Sequence, residues 1–318
     1  MKLVPTALAA LCALTAAAGD AALLALTPAG YDTVIAADVP KLMGNRDVRA
    51  LFDSPGMKKS FSELERAGVR VADLRALAVF SWDDCWYAAM RLDAAKLRKF
   101  LELRCADPAA NISAETVGNR RVYRLKRPVR PDGRHRKKEL CLTVLDGDTA
   151  LFAKFIELEK FLAAPRIGAP ELSRLAAMDA DLWIFCRKPD DPKKKSDSVF
   201  DVTEGSLELR LAGVESTALG IAGTGTFSDP EKARSMSMTL PGILAFFAGL
   251  IFAEDPEGGD MVVRALRSEV NGRTMRISLD MSEELFRRFL KGLESFEGRK
   301  NGVGGAAGGV RQRKRSVK

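Results

Sequence analysis

The residues that could do chemistry are few and scattered. The single histidine, His135, lies in the basic run 131–138, where neighbouring cations disfavour its protonated form and no nucleophile motif accompanies it. Asp83 and Asp84 lie between two tryptophans. Carboxylates beside aromatic faces could bind a sugar or a cation, but Asp is also typical of turns. We predict a solvated loop at His135 and a turn at Asp83-Asp84, with no catalytic, metal or cofactor site.

Sequence signatures of the common enzyme classes are missing. The chain has no Gly-x-Ser-x-Gly elbow, no P-loop, no His-Glu-x-x-His and no calcium-binding loop. The glycines from Gly220 to Gly225 are in the wrong order for a dinucleotide fingerprint, and they lie in a strand pattern where close packing explains them. These observations favour a protein that is not an enzyme. A hydrolase of unrecognised type stays an alternative.

The N-terminus predicts export. Lys2 precedes an apolar run from Leu3 to Ala18, which ends in three alanines, as in a signal peptide with a small-residue cleavage site. Cys12 raises a lipoprotein alternative, but Leu11 stands before it where a small residue is needed. We therefore expect a periplasmic or extracellular bacterial protein. The later apolar stretch 240–253 has the length of a buried helix, so no transmembrane helix is expected in the mature chain.

Removal of a signal peptide leaves Cys85, Cys105, Cys141 and Cys186. Four cysteines in an exported chain allow three pairings, between which the sequence cannot choose. Small buried hydrophobic thiols are the simplest interpretation. If a bridge exists, Cys105 to Cys141 is the first candidate, because a helix end can lie beside the next strand.

Strand patterns run directly into helices at four places. Asp38, Asp93, Asp229 and Asp280 each follow or close an apolar strand and are placed to cap a helix. The helices that follow carry apolar stripes such as Leu97, Phe100, Leu101 and Leu103, which we expect to face the core. Hairpins are predicted at Gly118-Asn119 and at Asn271-Gly272.

These elements predict an α+β fold of two similar modules, each a mostly antiparallel sheet with helices packed on one face. The boundaries are a signal peptide at 1–18, a first module at 19–164, a linker or short helix at 165–180, a second module at 181–296 and a disordered basic tail at 297–318. The repeated strand–helix–hairpin order suggests an internal duplication.

This layout resembles a loose group of uncharacterised exported bacterial proteins. The resemblance lies in an opening like Pro28-Ala29-Gly30-Tyr31-Asp32, a strand-to-helix step like Asp93-Ala94-Ala95-Lys96-Leu97, and a hairpin like Val117-Gly118-Asn119-Arg120. It covers about residues 30–295 and implies the compartment and the fold. It implies no activity.

The net charge of +8 comes mostly from the tail. The residues that could contact an anionic surface lie in the segment 120–138 and in this tail; they are Arg120, Arg121, Arg124, Lys126, Arg127, Arg134, Arg136, Lys137, Arg311, Arg313, Lys314 and Arg315. Few aromatic residues accompany them, and export makes nucleic acid an unlikely partner. The sequence thus predicts a binding or structural role in the cell envelope, or alternatively a binder of anionic envelope polymer or lipid.

Overall fold

The computed structural model describes residues 20–53, 58, 64–83, 85–125, 140–178, 180–187, 202–211 and 218–306. Twelve strands there form one sheet whose neighbouring strands are all antiparallel. The strands are β1 (Thr33–Ala37), β2 (Ala76–Trp82), β3 (Cys85–Arg91), β4 (Ile112–Val117), β5 (Arg120–Leu125), β6 (Leu140–Val144), β7 (Thr149–Lys154), β8 (Leu182–Arg187), β9 (Val202–Leu211), β10 (Leu219–Phe227), β11 (Leu266–Asn271) and β12 (Thr274–Met281). The helices are α1 (Ala21–Leu24), α2 (Val39–Gly44), α3 (Arg46–Phe52), α4 (Ala94–Cys105), α5 (Phe155–Ala163), α6 (Ala169–Ala176), α7 (Pro230–Ile251), α8 (Pro256–Ala265) and α9 (Glu283–Ala306). This combination confirms the predicted α+β class.

Strands β1 and β8 lie side by side at the centre of the sheet, with Ile35 opposite Ile184. The strand order is β11-β12-β10-β9-β8-β1-β2-β3-β7-β6-β5-β4. The two predicted modules therefore share one sheet instead of forming two. Mutual pairing of β1 and β8 hides two edges that would otherwise be open to association. The internal duplication stays a prediction.

Helices cover both faces of the central strands, so the prediction of helices on one face is wrong. On the front face, Ile35 and Leu182 share a core with residues of α2, α3, α8 and α9. On the back face, Val34 and Trp183 share a core with residues of α1, α5 and α6. The reason lies in β1, where four consecutive residues from Val34 to Ala37 are buried. Such continuous apolar strands fit a sheet that is covered on both sides.

Three of the four predicted helix caps are confirmed. The carboxylates of Asp38, Asp93 and Asp229 accept backbone N–H groups from the first turns of α2, α4 and α7. Asp280 instead lies within β12, and the hydroxyl of Ser282 accepts the N–H of Leu285 at the start of α9. The strand runs further than its apolar pattern indicated, and serine is as good a cap as aspartate.

The predicted hairpins at Gly118-Asn119 and Asn271-Gly272 are confirmed: Val117 pairs with Arg120, and Asn271 pairs with Thr274. Gly118 has φ 60° and Gly272 has φ 58°, the left-handed conformation that two-residue turns need.

The stripe predicted on α4 is only partly a core face. Leu97 and Leu101 are buried, but Leu103 is 66% exposed and Phe100 is 38% exposed. Leu103 lies two residues beyond Leu101, so the helical turn carries it away from the buried side. On α9, by contrast, Leu285, Phe286 and Leu290 are all buried.

The four described cysteines are free thiols, so the candidate bridge between Cys105 and Cys141 is wrong. Cys141 is buried in the back-face core and donates to the carbonyl of Ala153 at 3.3 Å. Cys105 packs at the end of α4 on the front face. The sheet lies between the two sulfur atoms, and no local adjustment brings them within bonding distance.

The final helix, α9, continues to Ala306, about ten residues past the predicted end of the second module at 296. Glycine lowers helix stability by about 1 kcal/mol per residue, but it does not forbid the helix, so the Gly-rich composition placed this boundary too early. The predicted signal peptide at 1–18 and residues 307–318 lie outside the described residues.

Candidate functional site: the apolar ridge of α7

Helix α7 follows β10 and begins at a strong start signal. The carboxylate of Asp229 caps it, and Pro230 occupies the first turn, where a missing N–H costs nothing. Its 22 residues span about 33 Å. No charged residue lies between Arg234 and Glu254. The helix is therefore long and apolar over most of its length.

Only a narrow side of α7 packs against the protein. Its buried residues are Ala233, Met236 and Ala248. The helix contacts α8, α9 and the strands β10, β11 and β12 on the front face. A Cβ added to Gly259 of α8 would lie 3.8 Å from the Ala248 Cβ, so the two helices are in close contact here. These contacts hold α7 on the domain along one side.

The opposite side exposes a large apolar surface. Met238 is 78% exposed, Phe246 65%, Phe247 53% and Leu250 39%. Small exposed residues lie between these side chains along the helix. We call the whole set the apolar ridge: Met238, Gly242, Ala245, Phe246, Phe247, Gly249 and Leu250.

The prediction that the stretch 240–253 forms a buried helix is wrong. Among the described helices, α7 alone has the length and composition to cross a membrane, and only 11% of that segment is buried. Length and composition do not distinguish a spanning helix from one that lies on a surface. The contacts of α7 with two helices and three strands hold it on the domain.

Charged residues lie at both ends of the ridge. Glu231, Lys232 and Arg234 are exposed at the start of α7. Glu254 and Asp260 are exposed beyond its end, and the side chain of Glu257 is 81% exposed. The ridge is thus an apolar strip with mixed charges at its start and acidic residues beyond its end.

The acidic end is held in place by α9. The Asp255 carboxylate caps α8 by accepting the N–H of Gly258, and it receives two hydrogen bonds of 2.6 Å from Arg288. Arg288 also reaches Glu257 at 3.2 Å. The Arg288 guanidinium holds the pKa of Asp255 below its usual range. This pairing anchors the end of the ridge to the rest of the front face.

The structure describes only three of the predicted anionic-surface contacts, and each already has an acceptor. Arg121 forms an ion pair with Glu102, and Arg124 forms one with Glu115. Arg120 donates to the carbonyl of Leu145 at 3.3 Å. These arginines stabilise the sheet edge. The other predicted contacts lie outside the described residues; they are Lys126, Arg127, Arg134, Arg136, Lys137, Arg311, Arg313, Lys314 and Arg315.

Asp83, the described aspartate of the acidic–aromatic cluster, lies in a turn, as predicted. Asp83 has φ 50° and joins β2 to β3. It pairs with Lys160, whose ammonium lies 5.5 Å from the centre of the Trp82 ring. Asp84 and His135 lie outside the described residues. Across the described part of the chain, no group of three or more His, Cys, Asp or Glu side chains could hold a metal ion.

A second candidate surface is the open back face of β9, β10, β11 and β12. A shallow depression of about 340 Å³ lies there, lined by polar side chains of both charges such as Glu208, Arg267, Glu269 and Arg276. Its floor includes Gly223, where an added Cβ would lie 2.9 Å from Ile277, which confirms the close packing predicted for these glycines. Mixed polar residues on one face are typical of a solvated antiparallel sheet.

Comparisons with known proteins find no matching family model and no matching curated protein. Among solved structures, the chain is similar to one described as crystal form I of TP0453, with 7% sequence identity and a TM-score of 0.48. The similarity covers 86% of this chain and 96% of that one.

Sequence reasoning missed the ridge because an apolar run in a helix usually marks a core. One signal was available. From Leu240 to Ala253 the run has no polar side at the helical period. A helix that is apolar all round is usually buried on all sides, so exposure of one side to water is unfavourable.

Proposed function

We propose that this protein is an exported, non-enzymatic interaction protein of the bacterial cell envelope that works through the apolar ridge of α7. The carrying observation is the exposure of Met238, Phe246, Phe247 and Leu250 on a single helix. Contiguous exposed apolar surface of this kind is typical of protein–protein or membrane contact sites. Export rests on Lys2 and the apolar run 3–18.

The ridge supports this role better than the basic segments do. The three described arginines of the 120–138 segment have acceptors within the protein, whereas the ridge side chains face solvent. Burying apolar surface stabilises an association by about 25 cal/mol per Å². An exposed ion pair contributes under about 1 kcal/mol.

The test compares the full chain with a double variant, Phe246→Ser/Phe247→Ser. Leu103→Ser is the matched control, because Leu103 is as exposed as Phe246 but lies on α4, away from the ridge. Self-association is measured by sedimentation velocity, and lipid binding by flotation with neutral and with anionic phospholipid vesicles. We expect the double variant to lose an association that the wild-type protein and the control both show.

The same full chain, produced with its own N-terminus in a bacterium, tests export. We expect the protein in the periplasmic or secreted fraction, with a mass that lacks about the first 18 residues. An unprocessed cytoplasmic protein would contradict the location. A ridge variant that matches the wild-type protein in both association assays would contradict the role of the ridge.

A further inference from the structure

We propose that Arg120 and Arg166 form a binding site for the phosphate group of a small soluble molecule on the back face of the sheet. Arg120 is the first residue of β5, and Arg166 lies between α5 and α6. The site goes beyond the proposed function, because it uses no residue of the apolar ridge.

Arg166 carries a half-buried positive charge with no anionic partner among the described residues. Its guanidinium carbon lies 4.6 Å from the centre of the Phe161 ring. Its Nη1 atom is buried and has no hydrogen-bond acceptor in the described part of the chain. Burial removes the hydration of a cation, so buried cations usually have a carboxylate or a ligand anion beside them.

Two other described arginines that lie on aromatic rings do have carboxylate partners. Arg174 lies 4.7 Å from the centre of a phenylalanine ring and pairs with Glu204. Arg187 lies 4.8 Å from the centre of a tyrosine ring and pairs with Glu171 at 3.5 Å. Arg166 has the ring contact without the carboxylate, so its charge is available to a ligand anion.

Arg120 brings a second positive charge to the same place. Val122, two positions further along β5, packs in the back-face core with Phe161, so Arg120 lies on that face as well. Its Nη1 donates to the carbonyl of Leu145 at 3.3 Å, a neutral acceptor that uses one of five N–H donors. Burial lowers the pKa of Arg166, and the charge of Arg120 lowers it further. One anion between the two guanidinium groups would stabilise both.

Backbone hydrogen bonds hold this part of the chain in place. The carbonyl of Pro165 accepts the N–H of Ala29 at 2.7 Å, and the N–H of Ile167 donates to the carbonyl of Thr27 at 3.1 Å. The residues on both sides of Arg166 are therefore fixed. The other arginine begins β5 directly after the tight β4–β5 turn. Groups that are already in position lose little conformational freedom when a ligand binds.

Charge favours a phosphate group over a carboxylate. A phosphate monoester carries a charge of about −1.5 to −2 at pH 7 and three acceptor oxygens. One such group can therefore balance two guanidinium ions that approach it from different elements. A carboxylate has a single charge and two oxygens. Arginine also matches phosphate geometry, because two parallel N–H groups can bind two of its oxygens.

The position of the site favours a soluble ligand. Phe161 belongs to the back-face core, whereas Ala248 of α7 belongs to the front-face core. The site and the apolar ridge thus lie on opposite faces of the sheet. A membrane that contacted the ridge would not approach the two arginines.

Isothermal titration calorimetry of the full chain with inorganic phosphate, at neutral pH and constant ionic strength, tests the site. We expect one phosphate to bind with a Kd of about 0.1–1 mM. Arg166→Gln and Arg120→Gln should each raise this Kd at least about tenfold. Arg174→Gln is the matched control, because Arg174 also lies on a ring but pairs with Glu204. It should bind phosphate like the wild-type protein.

Thermal unfolding in chloride and in phosphate at equal ionic strength shows whether the variants fold. In chloride, Arg166→Gln should stay within about 2 °C of the wild-type Tm, because relief of the repulsion from Arg120 offsets the lost ring contact. Phosphate at about ten times its Kd should raise the wild-type Tm by about 2–4 °C. It should leave the Tm of Arg166→Gln unchanged.

Three results would overturn the site or its ligand. A wild-type chain that gives no heat with phosphate up to about 20 mM overturns the site, and so does a folded Arg166→Gln variant that binds phosphate as tightly as the wild-type protein. Acetate that binds as tightly as phosphate overturns the assignment to a phosphate group.

A lipid headgroup is tested separately as the source of the phosphate. Flotation with vesicles that contain phosphatidic acid is measured in the Phe246→Ser/Phe247→Ser variant, so that the ridge does not contribute. Flotation that is lost on adding Arg166→Gln overturns the soluble ligand, whereas phosphate binding without flotation supports it. The ridge assays do not depend on either arginine, so failure of this site leaves the proposed function standing.

Discussion

The same substitution, phenylalanine to alanine, should have opposite consequences in the core and on the ridge. Phe161 of α5 is fully buried on the back face. Its ring stacks on Tyr87 with a centroid distance of 4.2 Å, and the Arg166 guanidinium lies 4.6 Å from its centre. Phe246 is 65% exposed. If the ridge adds nothing to folding, only the first substitution should destabilise the protein.

The magnitudes follow from burial. Removal of a buried phenylalanine costs about 3–5 kcal/mol, and a stacked aromatic pair adds about 0.5–1.5 kcal/mol. We therefore expect Phe161→Ala to lower the free energy of unfolding by about 4–5 kcal/mol. Phe246→Ala should change it by less than about 0.5 kcal/mol, as for other surface substitutions, because alanine also favours the helix.

Urea unfolding, followed by circular dichroism at about 1 μM protein so that self-association does not contribute, measures both values. With a slope of about 3 kcal/mol/M, Phe161→Ala lowers the midpoint by about 1.5 M. The reasoning is refuted if Phe246→Ala costs more than about 2 kcal/mol, because the ridge would then belong to the core. A loss below about 1 kcal/mol for Phe161→Ala would equally contradict the back-face core.

Three further outcomes are expected. Burial raises the pKa of the Cys141 thiol to about 12, so mass spectrometry should find Cys141 unalkylated at pH 8 in the folded protein and alkylated after unfolding. Hydrogen bonds from Tyr123 and Arg121 lower the pKa of Glu102, so its stabilisation is present above its ordinary pKa and is lost as the pH falls. Glu102→Gln should therefore destabilise the protein at pH 7 by up to about 1 kcal/mol and have little effect near pH 3, measured by thermal unfolding. Gly223→Ala should lower the unfolding free energy by about 1–3 kcal/mol because an added Cβ meets Ile277, whereas Gly242→Ala on the open side of α7 should raise it by about 0.5–1 kcal/mol in the same assay.

The elements that the sequence predicted well depend on neighbouring residues. Asp38, Asp93 and Asp229 cap helices through contacts three positions away, and Gly118 and Gly272 turn hairpins within four residues. Local chemistry determines these features. The α+β class follows from them, because the order of strands and helices is local information as well.

The features that the sequence did not predict depend on distant contacts. Nothing near Ile35 indicates that it pairs with Ile184, and this pairing joins the predicted modules into one sheet. The separation of Cys105 from Cys141 likewise depends on which face of the sheet α4 covers. Phe246 and Phe161 belong to similar apolar patterns, and only the packed protein shows that one faces solvent and the other faces the core.

The position of β1 at the centre of the sheet has a consequence for the order of folding. Its two neighbours are β2 and β8, and the partners Ile35 and Ile184 are about 150 positions apart in the sequence. Pairings between such distant segments form slowly. Strand β1 therefore cannot pair with β8 until Leu182–Arg187 has been synthesised, and only then can the two halves of the sheet join. We expect a chain that completes its central pairing this late to stay incompletely folded during synthesis.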